Sequence, residues 1–315
     1  MGEFVVGANL PWVDYGQDFG ASAWHPRGGL ALPERRERLR RALGELAQSG
    51  ASLVRWWLLG DGRAGLREDR DGRIIGLDDF LLADVDAGVL ALREAGLVAQ
   101  FVLVDFLWLH PGRTVNGARL GGRRDHVRDP SGRARLLERV FAPIAERYGR
   151  EAAVAGWDLM NEPEWATLGV GTLDPRRAVS RREMRTFLAE TTAIFRARVT
   201  QPLSVGLASA RWLPLVDGLD LDQAQVHWYE SLDSITTLAR PVLSLGLDRS
   251  VILGEFPTRG ASVPPRAVLE MAREAGYAGA LAWSALADDR ATDARACHDA
   301  LRAWCHRPAP HTREA

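Results

Sequence analysis

The chain predicts a single-domain α/β fold, a closed (β/α)8 (TIM) barrel, and three observations carry that expectation. Eight short apolar runs of strand character alternate with amphipathic stretches of helical period, the pattern of a parallel sheet whose crossovers are mostly helices. The length, 315 residues, suits a barrel of roughly 250 residues plus loops. The first strand leads into Gly7-Ala8-Asn9-Leu10-Pro11-Trp12, not into the glycine-rich phosphate turn that a doubly wound open sheet, the competing architecture, often carries. No internal repeat, low-complexity segment or linker divides the chain. One barrel domain is therefore expected over 1–306, with a frayed polar tail at 307–315.

The elements follow in order. Strand one is expected at about 4–9. A helix runs from Pro33 to Ser49, because Leu39, Ala42, Leu43, Leu46 and Ala47 form one stripe and Gly50 ends it. Strand two, 52–58, leads into a loop rich in Gly and Asp, then a helix over about 78–95 that stops at Gly96. Strand three, 98–106, precedes a long Arg/Gly loop over about 107–130. The next helix carries Leu136, Leu137, Val140, Phe141, Ile144 and Tyr148 on one face. Strand four enters through Ala152-Ala153-Val154-Ala155 and stops at Pro163, which cannot donate to a sheet. A helix over about 180–199 presents Met184, Phe187, Leu188, Thr191, Ile194 and Phe195. Strands five (203–208), six (225–229) and seven (251–255) come next. A helix from Pro264-Pro265, strand eight (280–284) and a last helix over about 291–305 complete the pattern.

Composition narrows the function. The formal net charge is −1 and 46% of residues are hydrophobic, which allows a substantial core and offers no general attraction to nucleic acid or an anionic membrane. No apolar run approaches the roughly 18 residues of a membrane span. The N-terminus opens directly into strand one without the features of a signal peptide, so a cytoplasmic protein is expected. Cys297 and Cys305 lie too far apart along one helix to bond, and both are expected as free thiols. All 40 basic residues are arginines. Schiff-base chemistry and lysine-cradled phosphates are excluded by the missing amine. No His-x-His occurs, so the strand-one metal pair of the barrel amidohydrolases is absent as well. Neither a cofactor nor a metal is expected.

The chemistry centres on Gly156-Trp-Asp-Leu-Met-Asn-Glu-Pro-Glu-Trp165. At the end of strand four it places an amide, Asn161, beside a carboxylate, Glu162, between tryptophans. That combination suits protonation of a sugar oxygen, with Asn161 bonding a sugar 2-hydroxyl. A second carboxylate, Glu255, stands at the end of strand seven, which faces strand four across the mouth of a closed barrel. Arg55 is a charge inside an apolar run and needs a buried partner, for which Glu255 is the candidate. His227 and Tyr229 are two apart on strand six and share a face. Tyr229 donating to Glu255 would favour its charged form, and His227 would either orient the acid or bind a sugar hydroxyl.

Five strand ends in this order resemble the clan A retaining glycoside hydrolases, nearest the cellulase family, glycoside hydrolase family 5. The matching residues are Arg55, Asn161-Glu162-Pro163, His227-x-Tyr229, Glu255 and Trp283, and the likeness runs from Phe4 to about Trp304. It implies that Glu162 is the acid/base, Glu255 the nucleophile and Trp283 the floor beneath the attacked sugar. One position departs: such enzymes usually carry a histidine near the end of strand three, where this chain has Asp105, placed either to bond sugar hydroxyls or to partner Arg55.

Tryptophans 12, 56, 57, 108, 165, 212, 228 and 283 fall at or just after expected strands. Platforms for pyranose faces are expected first at Trp283, then at Trp165 and Trp228. The expected function is retaining hydrolysis of β-linked gluco- or manno-configured glycosides. It carries three quantitative expectations: carboxyls roughly 5–5.5 Å apart, a raised pKa at Glu162 and a lowered one at Glu255. The alternatives are a sugar-binding barrel with little turnover and a transglycosylase on the same machinery. Glu164 has no assigned role, and the long loops after strands two and three could close one end of the cleft.

Overall fold

The computed structural model describes residues 3–306; the expected tail at 307–315 lies outside the described residues. Eight parallel strands close on themselves in chain order. They are β1 (Val5–Leu10), β2 (Leu53–Trp57), β3 (Val98–Val102), β4 (Val154–Asn161), β5 (Leu203–Leu207), β6 (Gln223–His227), β7 (Ser250–Pro257) and β8 (Gly279–Trp283). β1 pairs with both β2 and β8, which seals the barrel and leaves no strand edge. The predicted (β/α)8 architecture is the observed one.

Register explains how the strands bury both faces. Trp56 pairs with Phe101, and Phe101 with Trp157. This aromatic row points outward, and Trp157 meets Phe195 of the covering helix at a centroid distance of 5.1 Å. One residue away, side chains point into the barrel, because strand faces alternate. There the interior is polar: Asn9, Arg55, Gln100, Asp158, Ser204 and Gln225 are all buried. The lining of the barrel is a hydrogen-bonded network, whereas the ring between strands and helices is apolar.

Helix boundaries follow local chemistry. α1 (Pro33–Gln48) starts on proline, and α2 (Leu81–Ala95) ends on Gly96 in the left-handed conformation. α3 covers 130–148 and contains a π turn over Leu137–Phe141. Pro143 follows that turn and has no N–H to return to the preceding turn, which accounts for the widened ladder. α4 (Arg181–Arg196) opens with a capping box, Glu183 N–H to Ser180 Oγ at 3.2 Å and Ser180 N–H to Glu183 Oε2 at 2.7 Å. α5 (Pro265–Ala275) and α6 (Ala294–Cys305) close the ring. After β5 and β6 only short helical turns occur, Ala210–Leu215, Ile235–Leu238 and Val242–Leu245.

The two long loops carry more structure than expected. The loop after β2 holds a hairpin, Leu66–Glu68 with Ile74–Leu77. The loop after β3 holds another, Arg113–Val115 with Ala118–Leu120, followed by a short helix at Asp125–Arg128. Both rise at the C-terminal end of the barrel, on the side where strand-end residues gather. Among the described residues no helix is long and apolar enough to cross a membrane.

Candidate active site

β4 continues its sheet pairing through the Glu162 N–H, which donates to the Gly206 carbonyl at 2.7 Å. Pro163 then ends the strand. Glu162 itself takes a left-handed conformation (φ 47°, ψ 51°), rare for a residue with a side chain. The turn leaves its carboxyl at the barrel mouth, in a cleft of about 470 Å³ lined by Asp105, Asn161, Glu162, Trp165, Tyr229, Glu255 and Trp283 among others.

Beneath the cleft, Arg55 organises the carboxylates. It is fully buried. Its Nη1 donates to Glu255 Oε1 at 2.6 Å and to Asn9 Oδ1 at 3.0 Å; its Nη2 donates to Asp158 Oδ2 at 2.6 Å and Asn161 Oδ1 at 2.7 Å; its Nε reaches the same Asp158 oxygen at 2.9 Å. Glu255 is thus a partner of Arg55, as the sequence led one to expect, but it shares the guanidinium with Asp158. Arg55 does not line the cleft; it holds the carboxylates from beneath. Asn161 is held from both sides, since its Nδ2 donates to Asp105 Oδ2 at 2.8 Å. Asp105 lines the cleft and partners Asn161 directly, reaching Arg55 only through it.

The two glutamates share a histidine. His227 Nδ1 lies 2.8 Å from Glu162 Oε1 and 3.7 Å from Glu255 Oε2. One carboxylate oxygen of each glutamate and a His227 nitrogen all lie within 4.8 Å of one another. Burial holds His227 down to about 4, so the ring is neutral at pH 7. Its Nε2 is buried without a partner, which fits a proton on Nδ1, because an orphaned N–H is costlier than an unused lone pair. His227 lies behind the cleft lining; of its two expected roles, the geometry fits orienting the acid.

Burial dominates the titration of both carboxyls. It lifts Glu162 to about 7, against the pull of Arg55 and a hydrogen bond from Trp165. Glu255 departs from expectation: burial raises it too, outweighing His227, Arg55 and the Tyr229 hydroxyl, which donates to Oε2 at 2.8 Å. The anion-stabilising bonds from Arg55 and Tyr229 nevertheless belong to Glu255 alone, so the shared proton resides on Glu162. Asp105 is lifted to about 7 by burial, with smaller contributions from the two glutamates.

Glu164 turns inward. It is fully buried, one oxygen accepts the Ala208 N–H, and Oε2 has no partner. Burial, then the charge of Glu162, hold its pKa well above the usual carboxylate value.

The tryptophans divide. Trp12, Trp57, Trp165 and Trp283 line the cleft. Trp283 meets Trp57 edge to face at 5.6 Å, and Trp165 meets Trp212 likewise at 5.0 Å. Trp228 does not fit the expected platform: it is 2% exposed, its indole donates to the Ser234 carbonyl, and it packs in the core. Strand alternation explains this, since Trp228 sits between His227 and Tyr229, which face the site. Trp56 and Trp108 are core residues as well.

Sequence reasoning missed Asp158, Asn9 and Gln225, which anchors Asp158 Oδ2 at 2.7 Å. It also missed Gly206, where a Cβ would fall 2.7 Å from Arg55 Nη2 and 2.8 Å from Asp158 Oδ2. The available signal was a polar residue at the inward position of each apolar run. Glu162, His227 and Glu255 could geometrically hold a metal ion. However, the Arg55 guanidinium already supplies the local positive charge, and the set suits carboxyls sharing a proton.

No family model matches the chain. A mannan endo-1,4-β-mannosidase of Mytilus edulis is 27% identical over 161 residues, covering 51% of this chain; the chain spans 40% of that relative's length. Among solved structures, the endo-1,4-β-mannanase of Eisenia fetida superposes with a TM-score of 0.79 at 20% identity, over 97% of this chain and 92% of that one. The β-1,4-mannanase of Aplysia kurodai gives 0.75 at 18% identity, over 95% and 91%. The chain shares its fold with these β-mannanases.

Proposed function

We propose that the chain is a retaining β-glycoside hydrolase, acting on β-linked manno-configured glycosides first and gluco-configured ones second. The observation that carries this reading is the pair of carboxyls at the barrel mouth, Glu162 and Glu255, with one oxygen of each within 4.8 Å of the other. That is close to the spacing of double displacement and short of the roughly 6.5–9.5 Å that inversion needs to admit a water. The names of the sequence relative and of the structures with this fold favour mannose.

In this mechanism Glu255 Oε attacks the anomeric carbon as the bond to the leaving oxygen breaks, and Glu162 gives that oxygen its proton. Glu162, now ionised, takes a proton from water, whose oxygen displaces Glu255 and restores the free carboxylate. Arg55 and Tyr229 hold Glu255 as the anion before attack and stabilise it as the leaving group afterwards. Trp283 and Trp57 offer faces to the sugar, and Asn161 aims its amide at the ring hydroxyl. Transfer to a sugar alcohol in place of water uses the same residues.

Anomeric analysis of the first-formed product from aryl β-mannoside and β-glucoside by proton NMR tests the reading. Retention of the β-configuration is expected, together with a 2-fluoro mannoside adduct on Glu255. An inverted product, or no hydrolysis of any β-glycoside in a broad panel while binding persists, would sink it.

A further inference from the structure

We propose that the cleft is walled off at the end holding the non-reducing side of the substrate, so that the chain releases units of one fixed short length from non-reducing ends. This rests on the hydrolase reading above, because the acid identifies the ends. Glu162 protonates the leaving group, so the reducing-side portion runs out past Trp165 and Trp212. The rest of the substrate points the other way, over the loops after β1 and β2, which line the cleft with Tyr15, Asp18, Asp61 and Arg63.

There the loops close over one another. β2 lies between β1 and β3 in the barrel, yet the loops after β1 and β3 meet directly across it. The Trp24 indole donates to the Val115 carbonyl on the second hairpin at 2.9 Å. A Cβ on Gly117, at the hairpin tip, would stand only 3.3 Å from Ala23 Cβ. The intervening loop is pinned beneath. Arg63, its side chain 9% exposed, pairs with Asp61 and lies 4.6 Å from the Tyr15 ring centroid and 5.0 Å from that of Trp24. Arg123 ties the far side, pairing with Glu68 and donating to the Gly62 carbonyl at 2.6 Å. Three loops are therefore cross-linked into one wall. A long polysaccharide threading the cleft needs a free passage at that point. A chain terminus would meet an acid and a guanidinium in the cleft lining, Asp61 and Arg63. The relatives described above carry endo-acting names, so release from chain ends would be a different mode of action.

The test is product analysis over time with β-1,4-mannohexaose and β-1,4-glucohexaose fluorescently labelled at the reducing end. The expected result is one unlabelled product length from the start, with labelled chains shortening in equal steps. Trp24→Ala, which removes the latch without touching the cleft lining, should add mid-chain products. An immediate spread of labelled lengths from wild-type protein, or release of the labelled end first, would overturn the wall while leaving the hydrolase intact. Absence of any hydrolysis of both substrates and of aryl glycosides would remove both readings together.

Discussion

Replacing Arg55 by methionine is the sharpest perturbation of this site, because it deletes the guanidinium that pairs with two buried carboxylates. Five hydrogen bonds of 2.6–3.0 Å are lost at once, to Asn9, Asp158, Asn161 and Glu255. Breaking a buried ion pair by removing one partner costs about 3–5 kcal/mol, against a total stability of about 5–15 kcal/mol. The loss should also depend on pH. Burial already raises the folded-state pKa of Glu255 above its unfolded value, and without Arg55, which pulls it down, it rises further. The native state then binds protons that the unfolded chain has released, and stability falls as pH rises through the carboxylate range. The deficit of Arg55→Met relative to wild type should therefore grow between pH 5 and pH 8 in urea unfolding followed by tryptophan fluorescence. A deficit below about 1 kcal/mol, or one flat across that range, would mean that the guanidinium is not holding these carboxylates, and the network argument would be wrong.

The remaining predictions concern turnover. Glu162→Gln should slow hydrolysis of glycosides with poor leaving groups by about 10²–10⁴-fold while sparing activated aryl glycosides, as measured by kcat/KM across leaving-group pKa. Because the proposed mechanism needs Glu162 protonated and burial lifts it to about 7, wild-type kcat/KM should fall as pH rises through neutrality. A flat alkaline limb up to pH 9 would contradict the assignment. Tyr229→Phe removes the 2.8 Å bond to Glu255; a hydrogen bond to a charged group contributes about 1.5–3 kcal/mol, so kcat/KM should drop by roughly 10- to 150-fold, with the acid limb moving to higher pH. Gly206→Ala drives a methyl into Arg55 and Asp158 and should cost about 1–3 kcal/mol in thermal or urea unfolding.

Much of this architecture was legible in the sequence for identifiable reasons. Alternation and helical period located all eight barrel strands, since both patterns report which side of an element is buried. Strand ends located Glu162 and Glu255 because a parallel barrel gathers its C-terminal ends at one mouth. What escaped were contacts between inward-facing residues of different strands. Asp158 meets Arg55 across 103 positions of sequence, and no local pattern says which buried carboxylate a buried arginine chooses. The Trp228 error has the same root. Aromatic type marks a strand surface, but the period of two decides which surface, and His227 and Tyr229 had already claimed the inner one. The hairpins after β2 and β3 escaped for a further reason: they are short and glycine-interrupted, each pairs only its own two strands, and Glu68 with Arg119 and Arg123 ties one to the other.

The titration of the two glutamates shows where the division of labour arises. Environment was expected to push Glu162 up and Glu255 down, yet desolvation raises both. Depth therefore does not distinguish an acid from a nucleophile here; partners do. Glu255 receives a guanidinium N–H at 2.6 Å and a phenol O–H at 2.8 Å, donors that strengthen toward an anion. Glu162 shares only the weaker donors, the Trp165 indole and the neutral His227, and stands on a strained turn at the cleft surface. With oxygens this close, ionising one carboxyl raises the cost of ionising the other. The single negative charge settles where the stronger donors are, and the proton remains on Glu162, the group that the proposed mechanism turns toward the leaving oxygen.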